Sequence, residues 1–277
     1  MTGRGNFTTA VARCFPNCSD SSRTYTYDLT GQVTSSTDAL GNTTTYSHTD
    51  SPVGGNPAGN SDAYLTQITD PLGYTVNFTY NYTTGELASS TDENGQITTY
   101  TYDDPLGRLT QMNYPDGGET AISYNDSVPS VTTTTLQTPN PPKNSTAIMD
   151  GLGHVTQTQL TSDPSGTDYV DTTYDGEGHV YSNSNPHRST PSSTDGTTWH
   201  YYDAMGRTIQ TTEPDGSILQ WCYLEVPSQP AAANCSAHLG SVAGSWVDST
   251  DEVGNHWQRT SDSFGSLTEV MEPNGAS

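Results

Sequence analysis

Two histidines of this 277-residue chain occupy the same hexapeptide, Asp-Gly-x-Gly-His-Val, at His154 and His179. Imidazole is a common metal ligand, so the repeated histidine suggests a metal site. The other histidines show no spacing typical of a metal site; they are His48, His187, His200, His238 and His256. Both histidines follow a glycine of the repeated hexapeptide, so repetition explains them, and we predict that no metal is bound.

The remaining patterns that could support catalysis or ligand binding are incomplete. Asp92-Glu-Asn94-Gly95 comes nearest to a calcium loop but lacks the later ligands, and a turn explains it better. The serines include no nucleophile elbow. Gly151-x-Gly153 and Gly176-x-Gly178 precede no helix that could hold a phosphate. We therefore predict no catalytic residue, no cofactor and no enzymatic activity.

Four cysteines form two local pairs, Cys14 with Cys18 and Cys222 with Cys235. An even number in local pairs favours two short disulfide loops in an oxidising compartment. Free thiols are the main alternative. A zinc site is disfavoured because the pairs lie far apart and no histidine has finger spacing. For the second pair we predict a disulfide that closes a loop of about a dozen residues.

The strongest pattern is aspartate followed three residues later by glycine, which occurs eleven times. Aspartate can accept hydrogen bonds from the backbone of its own turn, and glycine can adopt positive φ. Each pair therefore predicts a tight hairpin turn. The clearest turns are Asp28 with Gly31, Asp38 with Gly41, Asp70 with Gly73, Asp92 with Gly95, Asp104 with Gly107, Asp175 with Gly178, Asp203 with Gly206 and Asp251 with Gly254. The set is completed by Asp150 with Gly153, Asp163 with Gly166 and Asp262 with Gly265.

Between the turns, aromatic or β-branched residues alternate with polar ones. Val76, Phe78 and Tyr80 are separated by Asn77 and Thr79. A period of two is typical of half-buried strands. Strands joined by tight turns form an antiparallel meander. We predict an all-β fold with almost no helix.

Composition alone would suggest disorder, because the net charge is −23 and only 30% of residues are hydrophobic. Seventeen tyrosines and the regular repeat argue for order within the repeats. Eight basic residues, scattered singly, disfavour binding to nucleic acid or to an anionic membrane. No apolar run is long enough for a membrane helix, so we predict no membrane insertion.

The repeat density predicts four regions with two insertions. They are an opening segment with a small cysteine loop at 1–23, clear repeats at 24–124, a linker or protruding loop at 125–147, and looser repeats at 148–277 with insertions near 182–196 and 224–245. The 125–147 segment is assigned as a linker because it lacks turns of aspartate and glycine and contains several prolines.

The turns are of two kinds, one preceded by an aromatic residue and one by threonine. Tyr102 to Leu109 is the best example of the first and Asp38 to Thr45 of the second. These residues resemble the tyrosine–aspartate (YD) or RHS repeat family, over nearly all of 24–275. The family places a polar residue after the turn glycine, which accounts for His154 and His179. Arginine occupies that position here only at Arg108 and Arg207.

The resemblance implies strands that spiral into a hollow β-shell. In bacteria such shells enclose a C-terminal toxin or other polypeptide, and in animal relatives they serve adhesion. It implies a non-catalytic scaffold of a secreted or surface protein, with the rest of the same polypeptide and its enclosed domain as partners. The alternative is an adhesion module that binds glycan or protein. Since nothing here resembles the family's self-cleaving core, we expect a fragment of a longer shell, incompletely stable alone.

Overall fold

A computed structural model describes residues 5–13, 20–55, 61–137, 139–189, 192, 195–223 and 244–273. Within these residues the chain forms 22 strands and no helix. The prediction of an all-β antiparallel meander is confirmed. No helix within the described ranges is long and apolar enough to span a membrane. The chain divides into two compact units, residues 1–123 with 133–142 and residues 124–132 with 143–277.

In the first unit consecutive strands pair antiparallel, except that β4 pairs antiparallel with β6 and β5 pairs parallel with β7. The strands are β1 (Thr9–Ala12), β2 (Ser21–Tyr27), β3 (Val33–Thr37), β4 (Thr43–Ser47), β5 (Pro52–Gly54), β6 (Gln67–Thr69), β7 (Thr75–Asn81), β8 (Leu87–Thr91), β9 (Ile97–Thr101), β10 (Gln111–Asn113) and β11 (Glu119–Asn125). Strand β12 (Ser130–Leu136) has its first residues in the second unit and its remaining residues in the first.

The second unit is an uninterrupted antiparallel meander from β13 to β22. Its strands are β13 (Lys143–Met149), β14 (Val155–Leu160), β15 (Asp168–Tyr174), β16 (Val180–Ser184), β17 (Thr197–Tyr202), β18 (Thr208–Thr212), β19 (Ile218–Tyr223), β20 (Ser245–Thr250), β21 (His256–Ser261) and β22 (Leu267–Met271).

The two kinds of turn belong to two kinds of hairpin. Where an aromatic residue precedes the aspartate, the register shifts by one residue, as between Thr26 and Tyr27 and between Tyr201 and Tyr202. Where threonine precedes it, the ladder runs to the turn without a shift, as at Thr37. An extra residue opposite one strand is a β-bulge, which increases the local twist. Bulged and unbulged hairpins therefore alternate wherever the repeat is regular.

Few of the described side chains are fully buried. Among the apolar residues described, only Ile209 and Cys222 are buried. Hydroxyl groups instead bond across neighbouring strands, as in Thr79 Oγ1 with Ser89 Oγ at 2.7 Å and Thr173 Oγ1 with Ser182 Oγ at 2.6 Å. Cross-strand threonine and serine pairs each contribute roughly 0.2–1 kcal/mol to sheet stability. The sheet is held by its ladder, its cross-strand pairs and its turns more than by an apolar core.

The structure differs from the predicted boundaries in two places. Residues 125–147, predicted as a linker or protruding loop, include all of β12 and the first part of β13. Four consecutive threonines in β12 favour a strand without any turn of aspartate and glycine. Near 182–196, predicted as an insertion, β16 continues to Ser184 and His187 forms a β-bridge with Tyr169. Residues 224–243, within the other predicted insertion, lie outside the described ranges.

Candidate functional site

The eleven turns of aspartate and glycine share one geometry. In each of them the glycine has positive φ, and its N–H donates to the aspartate carbonyl over 2.9–3.3 Å. The φ angle lies between +68° and +95° at the glycines of the eight clearest turns, which are Gly31, Gly41, Gly73, Gly95, Gly107, Gly178, Gly206 and Gly254. Glycine enters this left-handed region without the clash that a Cβ would cause, so the residue type fits the turn.

The aspartate carboxylate completes the same turns. In nine of the eleven, one carboxylate oxygen accepts the N–H groups two and four residues later, over 2.8–3.1 Å. The aspartate therefore satisfies the backbone of its own hairpin, which is the role that a short acidic side chain can play at the first position of a turn.

The second carboxylate oxygen bonds the side chain that follows the glycine. Arg207 Nε donates to Asp203 Oδ2 at 2.8 Å, and Asn42 Nδ2 to Asp38 Oδ2 at 2.9 Å. Arg108, Asn255, His154 and His179 make the equivalent contact with their own aspartates. One geometry thus accommodates arginine, asparagine or histidine, which explains why both histidines follow a turn glycine.

In the second unit the same side chains stack on a tyrosine of the next aromatic hairpin. The His154 ring lies 4.6 Å from the Tyr174 ring and His179 lies 4.8 Å from Tyr202, both near parallel. The Arg207 guanidinium lies 4.2 Å from the Tyr223 ring centre. Each tyrosine hydroxyl donates to the carbonyl beside the stacked residue, at Val155, Val180 and Thr208. Each of these turns thus has the same stack: an aspartate, then a guanidinium or imidazole, then a tyrosine. We call this arrangement the side-chain stack.

Asp104 shows the electrostatic consequence of this geometry. The Arg108 guanidinium, hydrogen-bonded to Asp104, lowers the pKa of that carboxyl to about 2. The side-chain amides of Asn42 and Asn255 likewise lower the pKa values of Asp38 and Asp251. These aspartates remain ionised well below neutral pH, so their turns keep both oxygens as acceptors.

We expect the protein to lose stability between about pH 4 and pH 2. A carboxyl whose pKa is lowered by folding stabilises the fold above its unfolded pKa, and that contribution disappears as pH falls through the folded pKa. Thermal melting followed by circular dichroism across this range would measure the loss. Arg108→Gln should make this loss smaller, because the folded pKa of Asp104 would return towards its unfolded value. A melting temperature that stays constant down to pH 2 would contradict the expectation.

One group of three potential metal ligands occurs among the described residues. Asp175, Glu177 and His179 place their ligand atoms within 4.8 Å of one another. The same contact of aspartate with histidine recurs at Asp150 and His154, where no glutamate is present. The contact is therefore a feature of the turn and does not require a metal. The absence of a metal stays a prediction.

The other histidines are scattered through the fold. His187 Nε2 lies 2.8 Å from Asp171 Oδ2, and the Arg188 carbonyl and this carboxylate raise the pKa of its imidazole. His256 Nδ1 lies 2.9 Å from buried Asp248, and His200 Nε2 lies 3.2 Å from the Asn183 amide oxygen. His238 lies outside the described residues.

Family comparison identifies one stretch of the chain. Residues 82–119, which include the turn of Asp104 and Gly107 and the following Arg108, match the family model of the RHS repeat. This stretch is similar to the RHS repeat. The sequence-based resemblance to the RHS or YD family is confirmed. No curated protein sequence matches the chain.

Structural comparison finds solved structures that contain TccC3. A crystal structure of TcdB2–TccC3–Cdc42 is 14% identical and matches with a TM-score of 0.32, over 93% of this chain and 17% of that one. A Photorhabdus luminescens Tc holotoxin pore with mutated TccC3 is also 14% identical and matches with a TM-score of 0.33, over 92% and 17%. This chain thus spans about a sixth of their length.

The cysteines are only partly described. Cys222 lies in β19, is buried and is disulfide-bonded. Cys14, Cys18 and Cys235 lie outside the described residues. The pairing of Cys222 with Cys235 stays a prediction.

Two features of the turns were not foreseen from the sequence. The stacking of histidine or arginine on tyrosine joins residues 16 to 23 positions apart, from His154 to Tyr174, His179 to Tyr202 and Arg207 to Tyr223. The residue before the turn glycine is a large, exposed apolar side chain in seven turns: Leu40, Leu72, Leu106, Leu152, Met205, Val253 and Phe264. The recurrence of apolar residues before these glycines could have revealed the second feature.

Proposed function

We propose that this chain is a non-catalytic scaffold segment of an RHS-type protein and that, within a longer polypeptide, it helps to enclose a C-terminal polypeptide such as a toxin. The main support for the proposal is that the ionisable side chains of the turns are engaged in hydrogen bonds within the turns. The turn aspartates bond their own backbone, and His154, His179, Arg108 and Arg207 bond those aspartates. These groups hold the hairpins together.

The matched repeat supports extending this role beyond residues 82–119. Arg108 with Asp104 lies inside the match, and Arg207 with Asp203 repeats the same 2.8 Å contact about a hundred residues later. A scaffold of this kind would act with the remainder of its own polypeptide and its enclosed domain. The proposed location is outside the cell or at its surface.

Limited proteolysis of the full-length polypeptide tests the proposal. The sequence of that polypeptide would be obtained from the coding DNA around this segment. If the repeats enclose a C-terminal domain, that domain should resist a protease that cleaves it when it is expressed separately. Deleting residues 24–124 should remove the protection. Equal cleavage rates in the intact polypeptide and the separate domain, or a polypeptide without a C-terminal domain, would contradict enclosure.

A second candidate is an adhesion module that binds a surface protein or glycan. It is favoured by the turn tips, where Leu40, Leu72, Leu152 and Val253 are each more than 80% exposed. Where neighbouring turns bring such side chains together, the contiguous exposed apolar surface would mark an interaction site. Repeats followed by a membrane anchor or by other surface modules would favour adhesion over enclosure.

A further inference from the structure

Three exposed aromatic rings form a cluster on β16 and β17 of the second unit. Trp199 and Tyr201 alternate with His200 on β17, and Tyr181 lies on the neighbouring strand. The Tyr181 ring is 5.1 Å from Trp199 and 6.1 Å from Tyr201. All three side chains are almost two-fifths exposed, at 38–39%. The Tyr181 ring contacts the other two rings, and all three present much of their surface to solvent.

A groove of about 460 Å³ adjoins this cluster. Tyr181, Tyr201 and Tyr202 line it together with the carboxylate residues Asp175, Glu177 and Asp203. Asp175 and Asp203 use their carboxylates to bond His179 and Arg207, as described above. The turn itself needs only the backbone N–H of Glu177, which donates to Asp175. Its carboxylate is exposed at a turn tip where other turns carry leucine, methionine or valine.

The charge of the chain defines the partner that would be attracted here. The net charge is −23, and Arg13, Arg108, Arg188 and Arg207 are already paired with aspartates. The groove therefore offers negative charge beside aromatic faces. Such a combination favours cations, because the face of an aromatic ring attracts ammonium and guanidinium groups. A polyanion would be repelled by the same carboxylates.

We propose that the groove bounded by Glu177, Tyr181 and Tyr201 binds a lysine- or arginine-rich segment of a partner polypeptide. A guanidinium or ammonium group would pair with the Glu177 carboxylate while its stem and charge lie against the two tyrosine rings. The rings meet at 70° and 88°, so they do not form the flat platform on which a sugar ring would stack. This assignment holds whether or not the repeats enclose a C-terminal domain.

Binding of labelled peptides to the 277-residue chain tests the proposal. The probes are hexa-arginine, hexa-lysine and hexa-glutamate, with cellohexaose as a neutral sugar, and the readout is fluorescence anisotropy or calorimetry. We expect the two cationic peptides to bind, more weakly as salt is raised, and the other two probes not to bind. Glu177→Gln should lower the affinity for hexa-arginine about two- to fivefold, the range of an exposed ion pair.

A matched variant separates this groove from diffuse attraction to an acidic protein. Glu93→Gln removes the same charge from an exposed turn of the first unit and should leave the affinity unchanged. Tyr181→Ala should weaken binding about two- to fivefold, whereas Tyr181→Phe should preserve it, since phenylalanine keeps the ring face. Circular dichroism of each variant shows whether it is folded.

Several results would overturn the proposal. Glu177→Gln and Glu93→Gln could weaken binding equally, or neither variant could change it. In either case cations would be attracted by net charge alone. Binding of cellohexaose that is lost in folded Tyr181→Ala would assign the rings to a sugar. Enclosure is tested by protection of a C-terminal domain, and the groove is tested by peptide binding. Either proposal can therefore be contradicted while the other stands.

Discussion

Gly206→Ala is expected to lower the free energy of unfolding of the second unit by about 2–3 kcal/mol, through two separate effects. Gly206 has a φ of +75°, a region that L-residues enter at a cost of roughly 1–2 kcal/mol. An alanine Cβ would also come within 2.8 Å of His179 Nε2. To relieve that contact, the imidazole would have to move from its place between Asp175 and the Tyr202 ring.

Gly216→Ala is the matched control, because it carries only the first effect. Its φ is +85°, and a Cβ there would meet nothing within 4 Å. Chemical denaturation followed by circular dichroism should show Gly206→Ala to be about 1 kcal/mol less stable than Gly216→Ala. Combining Gly206→Ala with His179→Ala should remove that excess. If the two glycine variants lose equal stability, the contact between a Cβ at position 206 and the His179 ring costs nothing, and the expectation is wrong.

The hairpin turns were predictable because their chemistry is local. Asp203, Met205 and Arg207 lie within five consecutive residues, and a single side chain satisfies the backbone between them. The same local signal predicted the antiparallel pairing, since a tight turn returns the chain alongside itself. Alternation along β7 predicted a strand for the same reason.

The side-chain stack of aspartate, imidazole or guanidinium, and tyrosine could not be predicted from spacing alone. The His179 ring stacks on Tyr202 because β16 and β17 pair in the observed register. The hairpin of β17 and β18 also carries a bulge at Tyr202. The interval between the stacked partners also varies, as the lengths of the intervening connections do. Because this interval is not constant, a repeat of fixed length does not reveal which histidine or arginine stacks on which tyrosine.

The pattern of aspartate and glycine gave no signal for strands β5 and β12. β12 contains no aspartate or glycine, so the turn pattern passed over a threonine run with high strand propensity. β5 is only three residues long, begins with proline and pairs in parallel with β7. Its pairing depends on a long connection returning to the sheet, for which the sequence has no local signal.

Removal of the Asp203 carboxylate is expected to have the second large effect. Asp203→Ala removes the acceptor of the Met205 N–H at 2.9 Å, the Arg207 N–H at 3.0 Å and Arg207 Nε at 2.8 Å. The aspartate side chain is only 8% exposed, so solvent cannot readily replace it. A hydrogen bond to a charged group contributes about 1.5–3 kcal/mol, and we expect the loss of these contacts to cost about 3 kcal/mol in total.

Asp203→Asn separates the geometry of this turn from its charge. An amide oxygen can still accept the two backbone N–H groups, while the ion pair with Arg207 is lost, so the cost should be about 1 kcal/mol. Burial raises the pKa of Asp203, but the hydrogen bonds from Arg207 outweigh burial and lower it. Because the carboxylate stabilises the fold only while ionised, the difference between wild type and Asp203→Asn should disappear as pH falls through this lowered pKa. Urea denaturation of the three proteins at several pH values measures both differences. If Asp203→Asn is as unstable as Asp203→Ala at neutral pH, the ion pair would be the main contribution of Asp203 and its backbone contacts a minor one.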